Sequence, residues 1–107
     1  MKAWDIFSYT PPGFPEPHPA VIVSHPNRVD TKADVNILMC SSHRAGRPAM
    51  IGEVILDSAD GLDWPTLCRC DLFFNVKKAD LKNRRGHVTA ERRMEIIRMI
   101  NRTNGWV

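Results

Sequence analysis

The chain has few cysteines and no long apolar run. It contains three cysteines, Cys40, Cys68 and Cys70, and no Cys-x-x-Cys pair. This pattern excludes a secreted disulfide framework and a zinc site of ordinary spacing, so we expect reduced thiols and no metal or other cofactor. The longest apolar stretches, including residues 20–23, are far too short to span a membrane, and the N-terminus lacks the apolar region of a signal peptide. We therefore predict a cytoplasmic protein with no membrane partner.

Aromatic residues are also scarce, and neither sign of charge is in large excess. Aromatic side chains make up 7% of the 107 residues, against 43% apolar and 25% charged, which predicts one globular domain over residues 1–107. The 15 basic and 12 acidic residues give a net charge of +3. Nine basic residues fall between residues 77 and 102. This clustering favours a positive surface that attracts phosphates, although a solvated helix face would give the same pattern.

The apolar pattern predicts a series of short strands followed by one helix. Predicted strands cover residues 4–9, 20–24, 35–40, 50–56, 65–76 and 86–88, and a helix capped by Thr89 ends at Asn104-Gly105. Five prolines between residues 11 and 19 predict a stiff exposed loop, and residues 25–34 read as a turn-rich connection. The fold class is therefore mainly β with α, a small antiparallel β-barrel with a C-terminal α-helix.

The order of these segments resembles the MazF/PemK/Kid-like toxins of bacterial toxin–antitoxin systems, and the resemblance covers nearly the whole chain. The residues that carry it are Asp5-Ile6, the strand Pro19 to Ser24, Cys40-Ser41-Ser42, Arg69-Cys70-Asp71, Leu81, Gly86 and the terminal helix. The resemblance implies an SH3-like barrel that cleaves RNA, forms a homodimer and is silenced by a cognate antitoxin protein.

Two positions depart from the family pattern. Trp4 stands where the family has glycine, and His18 stands where it has an arginine that is commonly placed at the catalytic centre. A histidine can still donate a hydrogen bond to a phosphate, but it is not permanently charged. The proline-rich loop is also shorter than usual for the family, which implies a different choice of substrate or antitoxin.

Three residues are candidates for the chemistry of RNA cleavage without a metal. This reaction needs a base for the 2′-hydroxyl, donors that hold the phosphate, and an acid for the 5′-oxygen. Arg69 and Asp71 lie two apart on a predicted strand, so they share a face about 6.5–7 Å apart and would bracket a phosphodiester. We assign Asp71 as the base, Arg69 as the phosphate clamp and His18 as the acid, since an unperturbed histidine titrates near pH 6.5. The alternative is an ordinary surface ion pair between Arg69 and Asp71.

Four further residues are candidates for substrate binding. Ser41 lies where the family has a serine or threonine near the phosphate, and Ser42 and Arg44 follow it along the chain. A hydrogen bond that only stabilises the strand end is the other reading of Ser41. Phe14 is a large apolar residue in an exposed loop and could stack on an unpaired base.

The leading hypothesis is a sequence-selective endoribonuclease toxin that acts on single-stranded RNA. Two alternatives stay open. One is a family member that has lost catalysis and only binds nucleic acid or antitoxin, in keeping with His18. The other is a toxin of the related gyrase-directed group, which shares the barrel but acts on a protein.

Overall fold

A computed structural model of the chain describes residues 1–42 and 47–106. Within these ranges there are six strands and two α-helices, together with one-turn 3₁₀ helices at Ser58–Asp60 and Lys78–Asp80. The strands are β1 (Asp5–Tyr9), β2 (His18–Ile22), β3 (Asp34–Ser42), β4 (Glu53–Leu56), β5 (Thr66–Lys77) and β6 (Lys82–His87), and the α-helices are α1 (Pro26–Thr31) and α2 (Ala90–Thr103). Neither α-helix has the length and apolar character needed to cross a bilayer.

The six strands form one antiparallel sheet in the order β4-β5-β3-β2-β1-β6. Both faces of the sheet are covered at β2, where Ala20, Val21 and Ile22 are all fully buried. Val21 belongs to a core that includes Ile96 of α2, whereas Ala20 and Ile22 belong to a second core on the α1 side. The predicted mainly β fold class with a C-terminal helix is confirmed, as is a strand near residue 20 that is buried on both faces.

The segment after β4 packs against β6, the strand at the opposite edge of the sheet. Asp60 and Gly61 follow β4, and they lie so close to Gly86 of β6 that a Cβ atom at Gly86 would be 2.0 Å from the carbonyl oxygen of Asp60. The buried Asp60 carboxylate also accepts a hydrogen bond of 3.0 Å from the backbone N–H of Thr89, just before α2. The sheet is therefore closed by side-on packing of this turn against β6, and only glycine fits at position 86.

The helix α2 begins and ends where the sequence predicts. The hydroxyl oxygen of Thr89 accepts a hydrogen bond of 3.2 Å from the N–H of Arg92, which caps the first turn. Asn104 is the C-cap, and Gly105 follows with a φ of +68°. Ile96 is the fully buried residue of the helix and fixes it on the sheet.

Helix α1 corrects the predicted turn-rich connection over residues 25–34. His25 caps the helix by accepting the Asn27 N–H at its Nδ1 atom, 3.1 Å away, and Val29 is buried against the sheet. Pro26 is compatible with this helix because proline is tolerated in the first turn, where its missing N–H is not needed. A six-residue helix also offers too little periodicity to detect.

Two predicted strands begin three or more residues from their predicted start. The strand predicted over residues 50–56 begins at Glu53 rather than Met50, because residues 50–53 form a turn in which Gly52 has a φ of +93°. Met50 and Ile51 consequently lie exposed. The last strand runs over Lys82–His87 instead of residues 86–88. It is an edge strand with one solvated face, so most of its residues are polar or charged and the apolar pattern does not reveal it.

Trp4 occupies a backbone conformation that glycine normally adopts. Its φ is +70°, which explains why a glycine is the expected residue before Asp5. The Trp4 N–H donates to the Ile22 carbonyl at 2.7 Å, and its own carbonyl accepts the N–H of Val88 at 3.0 Å. The indole also packs against the core on the α2 side. These contacts hold a bulky residue in a strained conformation.

Candidate active site

The Arg69-to-Asp71 segment lies on a wide bulge of β5. Cys40 of β3 pairs with Cys68, but Leu38 pairs with Phe73, so residues 69–72 of β5 stand opposite Met39 alone. Strand β4 continues the regular ladder here, because Glu53 pairs with Arg69 and the Cys70 N–H donates to the Gly52 carbonyl at 2.7 Å. Bulges re-aim side chains and are frequent beside active sites. The segment is thus paired with the edge strand β4 but is out of regular register with the central strand β3.

Arg69 and Asp71 form a two-bond ion pair. The Arg69 Nε donates to Oδ1 of Asp71 at 3.1 Å, and Nη2 donates to Oδ2 at 2.9 Å. The side chains are 53% and 40% exposed, so a ligand can reach both. The sequence predicts their shared face, but the structure brings them into direct contact and leaves no open gap between them. An exposed pair of this kind contributes little to stability.

The ion pair fixes the charge of both side chains at neutral pH. Hydrogen bonds from Arg69 lower the pKa of Asp71 below its usual value and outweigh the opposing effect of burial. The same hydrogen bonds raise the pKa of Arg69. Asp71 is therefore ionised but a weak base for as long as Arg69 stays bound to it.

Glu53 and Arg47 form a second two-bond ion pair beside the first. Arg47 Nη1 and Nη2 donate to the two carboxylate oxygens of Glu53 at 2.8 Å each, and the Met50 N–H donates to Oε1 at 2.8 Å. The Glu53 side chain is 10% exposed. Since Glu53 is the cross-strand partner of Arg69, positive and negative groups alternate from Arg47 through Glu53 and Arg69 to Asp71.

The role of Glu53 was not predicted from the sequence. Residues 50–56 were read as a core strand, and a glutamate at position 53 of an otherwise apolar run was the available signal that one face there is polar. Hydrogen bonds from Arg47, together with that from the Met50 N–H, lower the pKa of Glu53 to about 2 although burial opposes this shift. The arginine that holds it comes from a loop, so no strand periodicity links the two residues.

Glu53→Gln is expected to lower the free energy of unfolding at pH 7 by about 1–2 kcal/mol, because a charge-assisted fork is lost from a largely buried group. The folded-state pKa lies below the reference value of 4.5, so this contribution is present above pH 4.5 and is lost as the pH falls toward about 2. Urea unfolding at pH 7, 4 and 2.5 should therefore show the difference between wild type and variant shrinking with pH.

Glu95→Gln is the matched control, since Glu95 is half exposed and lies 3.9 Å from its cation, Arg92. It should leave stability nearly unchanged at every pH. A constant difference between wild type and Glu53→Gln from pH 7 to 2.5 would contradict the role given to the Arg47–Glu53 pair.

His18 and Ser42 line one cleft, which is separate from the β5 bulge. His18 begins β2, and its ring meets that of Phe14 edge to face with 5.7 Å between centroids. His18, Ser42 and Trp64 line a cleft of about 530 Å³. Among the described residues that line it, Arg69 and Asp71 do not appear. From the sequence, Trp64 is one of several aromatic side chains that could stack on an unpaired base, and its position beside these residues comes from the structure.

Ser41 belongs to the face that carries Arg69. It is the cross-strand partner of Leu67, and Leu67 and Arg69 lie two apart on β5. Strands β2 and β5 flank β3 on opposite sides, so they run about 10 Å apart. The structure thus brings Phe14, His18 and Ser42 into one group and Arg69 and Asp71 into another, with Ser41 on the strand between them. The remaining predicted residue, Arg44, lies outside the described residues.

Several of the basic residues in the last third of the chain are used inside the fold. Arg92, only 20% exposed, donates to the Ile55 carbonyl and to Asp57. Arg93 donates to the Val88 carbonyl and contacts His87, and Lys78 donates to the Val29 carbonyl. The predicted positive surface is therefore smaller than the residue count indicates.

Possible metal ligands do not cluster in the described part of the chain. Over residues 1–42 and 47–106, no group of three or more His, Cys, Asp or Glu side chains is arranged to hold a metal ion. Cys40, Cys68 and Cys70 are free and buried. The predicted metal independence of the chemistry stays a prediction.

The sequence pattern of one protein family extends over almost the entire fold. Residues 6–103 match the family described as PemK-like, MazF-like toxins of type II toxin–antitoxin systems. The chain belongs to this family. The match begins inside β1 and ends with α2, so it takes in the β5 bulge and the cleft of this MazF-like toxin. No curated protein sequence matches the chain significantly.

Solved structures of MazF-like toxins share this fold. An endoribonuclease in complex with its cognate antitoxin, from a mycobacterial species, has a TM-score of 0.84 and 19% identity, covering 100% of this chain and 97% of that one. The Mycobacterium tuberculosis toxin MazF-mt6 has a TM-score of 0.78 and 16% identity, covering 94% and 95%. A MazE-MazF structure from Deinococcus radiodurans has a TM-score of 0.76 and 13% identity, covering 98% and 95%. At these identities the likeness establishes the fold.

Proposed function

We propose that this MazF-like toxin is a metal-independent endoribonuclease that cleaves single-stranded RNA. The observation that carries the proposal is the exposed Arg69–Asp71 pair, presented on a bulge of β5. Its support is the family match and the description of a structural neighbour as an endoribonuclease. A paired donor fork and carboxylate are the groups that phosphodiester cleavage by an internal hydroxyl requires.

Arg69 acts as the phosphate clamp. Its planar fork, bound to two carboxylate oxygens in the free protein, fits two non-bridging oxygens of a phosphate equally well. When the fork turns to the RNA, Asp71 loses the hydrogen bonds that depress its pKa. Substrate binding therefore raises the basicity of Asp71 at the moment when a base is needed.

The reaction has one base and one acid on opposite sides of the phosphorus. Asp71 accepts the 2′-hydroxyl proton, the 2′-oxygen forms a bond to phosphorus, and the bond to the 5′-oxygen breaks. His18 gives its proton to the departing 5′-oxygen, and the products carry a 2′,3′-cyclic phosphate and a 5′-hydroxyl. In-line attack separates the entering and leaving oxygens, so an acid on β2 and a base on β5 approach from different sides. Ser41, on the strand between them, donates to a non-bridging oxygen.

The substrate and the protein partners follow from the same surface. Unpaired RNA can splay its bases and bring the 2′-oxygen in line, whereas a stacked duplex cannot. The partners we propose are a cognate antitoxin and a second copy of the chain. Structures of a toxin with its antitoxin and of MazE-MazF share the fold. Leu72, Phe73 and Phe74 form an exposed apolar run beside the site, which is typical of a protein-binding surface.

The test is incubation of the purified protein in EDTA with a long single-stranded RNA and with the same RNA annealed to its complement. We expect discrete cuts with 2′,3′-cyclic phosphate ends in the single strand and no cuts in the duplex. RNA binding without any cut would favour the non-catalytic binding module, and neither binding nor cleavage would favour a protein target.

A further inference from the structure

Trp64 presents a large flat side chain to solvent next to the proposed active site. Trp64 is 47% exposed. Its backbone carbonyl accepts a hydrogen bond of 3.0 Å from the hydroxyl of the buried Thr66, which holds the backbone in place at this position. The indole forms part of the wall of the cleft of about 530 Å³ that also contains His18 and Ser42. An aromatic surface exposed in the wall of a cleft can act as a stacking platform for another flat group.

The polar groups of the cleft include both hydrogen-bond donors and acceptors. Arg85 and His18 supply donors and Glu16 supplies acceptors, and all three line the cleft with Trp64. A bound phosphate would be opposed by the Glu16 carboxylate. A nucleobase has instead a flat face for Trp64 and an edge with both donors and acceptors for the two charged side chains.

The cleft lies within reach of the Arg69–Asp71 pair along one strand. Ser42, in the wall of the cleft, pairs with Thr66 across β3 and β5. Thr66 and Arg69 are three residues apart on β5, which corresponds to about 10 Å. A base of a nucleotide near the cleaved bond can therefore enter the cleft while its phosphate stays at Arg69.

We propose that this cleft binds one unpaired nucleobase of the RNA, stacked on Trp64, and that it sets the base preference at one position beside the cut. The inference rests on the proposed function, since it assigns a subsite to the same RNA. Trp64 acts in recognition and takes no part in the proton transfers.

The experiment compares wild type with Trp64→Ala and Trp64→Phe on a randomised single-stranded RNA, sequencing the fragment ends. Trp64→Ala is expected to lower kcat/KM on the preferred RNA by about 10- to 100-fold, the loss expected from removing one base stack. It should also flatten the base preference at one position. Trp64→Phe keeps an aromatic ring and should retain most of the kcat/KM and most of the base preference. Met94→Ala is the control, because Met94 is also a large exposed side chain but lies on α2 and does not line the cleft.

A binding measurement separates this inference from the proposed function. Fluorescence anisotropy of a labelled short RNA is recorded with Asp71→Asn alone and with Asp71→Asn combined with Trp64→Ala or with Arg85→Gln. Weaker binding by about tenfold in either combination supports the subsite even if wild type cuts no RNA. Unchanged affinity, or an equal loss in the Met94→Ala control, overturns it, whatever the cleavage result. Thermal unfolding of each variant shows that the fold is retained.

Discussion

Asp71→Asn is expected to reduce kcat for RNA cleavage by about 10²- to 10⁴-fold, the range for loss of a general base. The amide keeps the size of the side chain but cannot accept the 2′-hydroxyl proton. Because the Arg69–Asp71 pair is exposed, the thermal midpoint should change little. Single-turnover cleavage of a short single-stranded RNA with enzyme in excess measures the chemical step directly.

Asp30→Asn is the control for this substitution, since Asp30 is an exposed carboxylate of α1. It should cut RNA at the wild-type rate. If Asp71→Asn also cut at that rate, Asp71 would not be the base, and the pair with Arg69 would be an ordinary surface ion pair. If Asp71→Asn lowered the rate because it unfolded the protein, the loss of activity would not support a catalytic role for Asp71.

Gly86→Ala is expected to lower the free energy of unfolding by about 3–5 kcal/mol, because the added Cβ clashes with the backbone of Asp60 and Gly61, and no rotamer change can relieve a clash with backbone. The added Cβ would stand 2.0 Å from the Asp60 carbonyl oxygen and 3.3 Å from the Gly61 Cα. Relief requires β6 to separate from the turn that closes the sheet. In a domain of 107 residues such a loss leaves little stability, and urea unfolding at 25 °C measures it.

Gly13→Ala provides the comparison. Gly13 has a φ of +83°, but a Cβ there would meet nothing within 4 Å, so only the backbone strain of about 1–2 kcal/mol applies. Equal losses for the two variants would show that the contact between Asp60 and Gly86 does not close the sheet.

The sequence predicted a strand or helix correctly where that element had a clear local pattern of residues. Strand β2 is a nearly continuous apolar run, and α2 has a cap, an apolar stripe and a glycine stop, so both were placed from local pattern alone. Helix α1 was missed because it is short and starts at a proline. The closure at Gly86 depends on a turn some 25 residues earlier in the chain, which local pattern does not report.

The sequence predicts which residues of the candidate site share a face, but not the geometry of the site; their roles stay predictions. Strand periodicity places Arg69 and Asp71 on one face, but it reports neither their direct contact nor the register shift between β3 and β5 at this point. The Glu53–Arg47 pair joins an edge strand to a loop. The cleft collects Glu16, Ser42, Trp64 and Arg85 from four separate segments, so neither spacing nor periodicity could have assembled it.

The most direct test of the proposed mechanism uses an RNA in which the nucleotide 5′ to a mapped cut carries 2′-hydrogen in place of the 2′-hydroxyl. In EDTA, we predict that this linkage alone resists the wild-type protein while unmodified sites in the same molecule are cut and end in 2′,3′-cyclic phosphate. Cleavage of the deoxy linkage at a comparable rate would contradict attack by the 2′-oxygen, and with it the roles given to Asp71, Arg69 and His18.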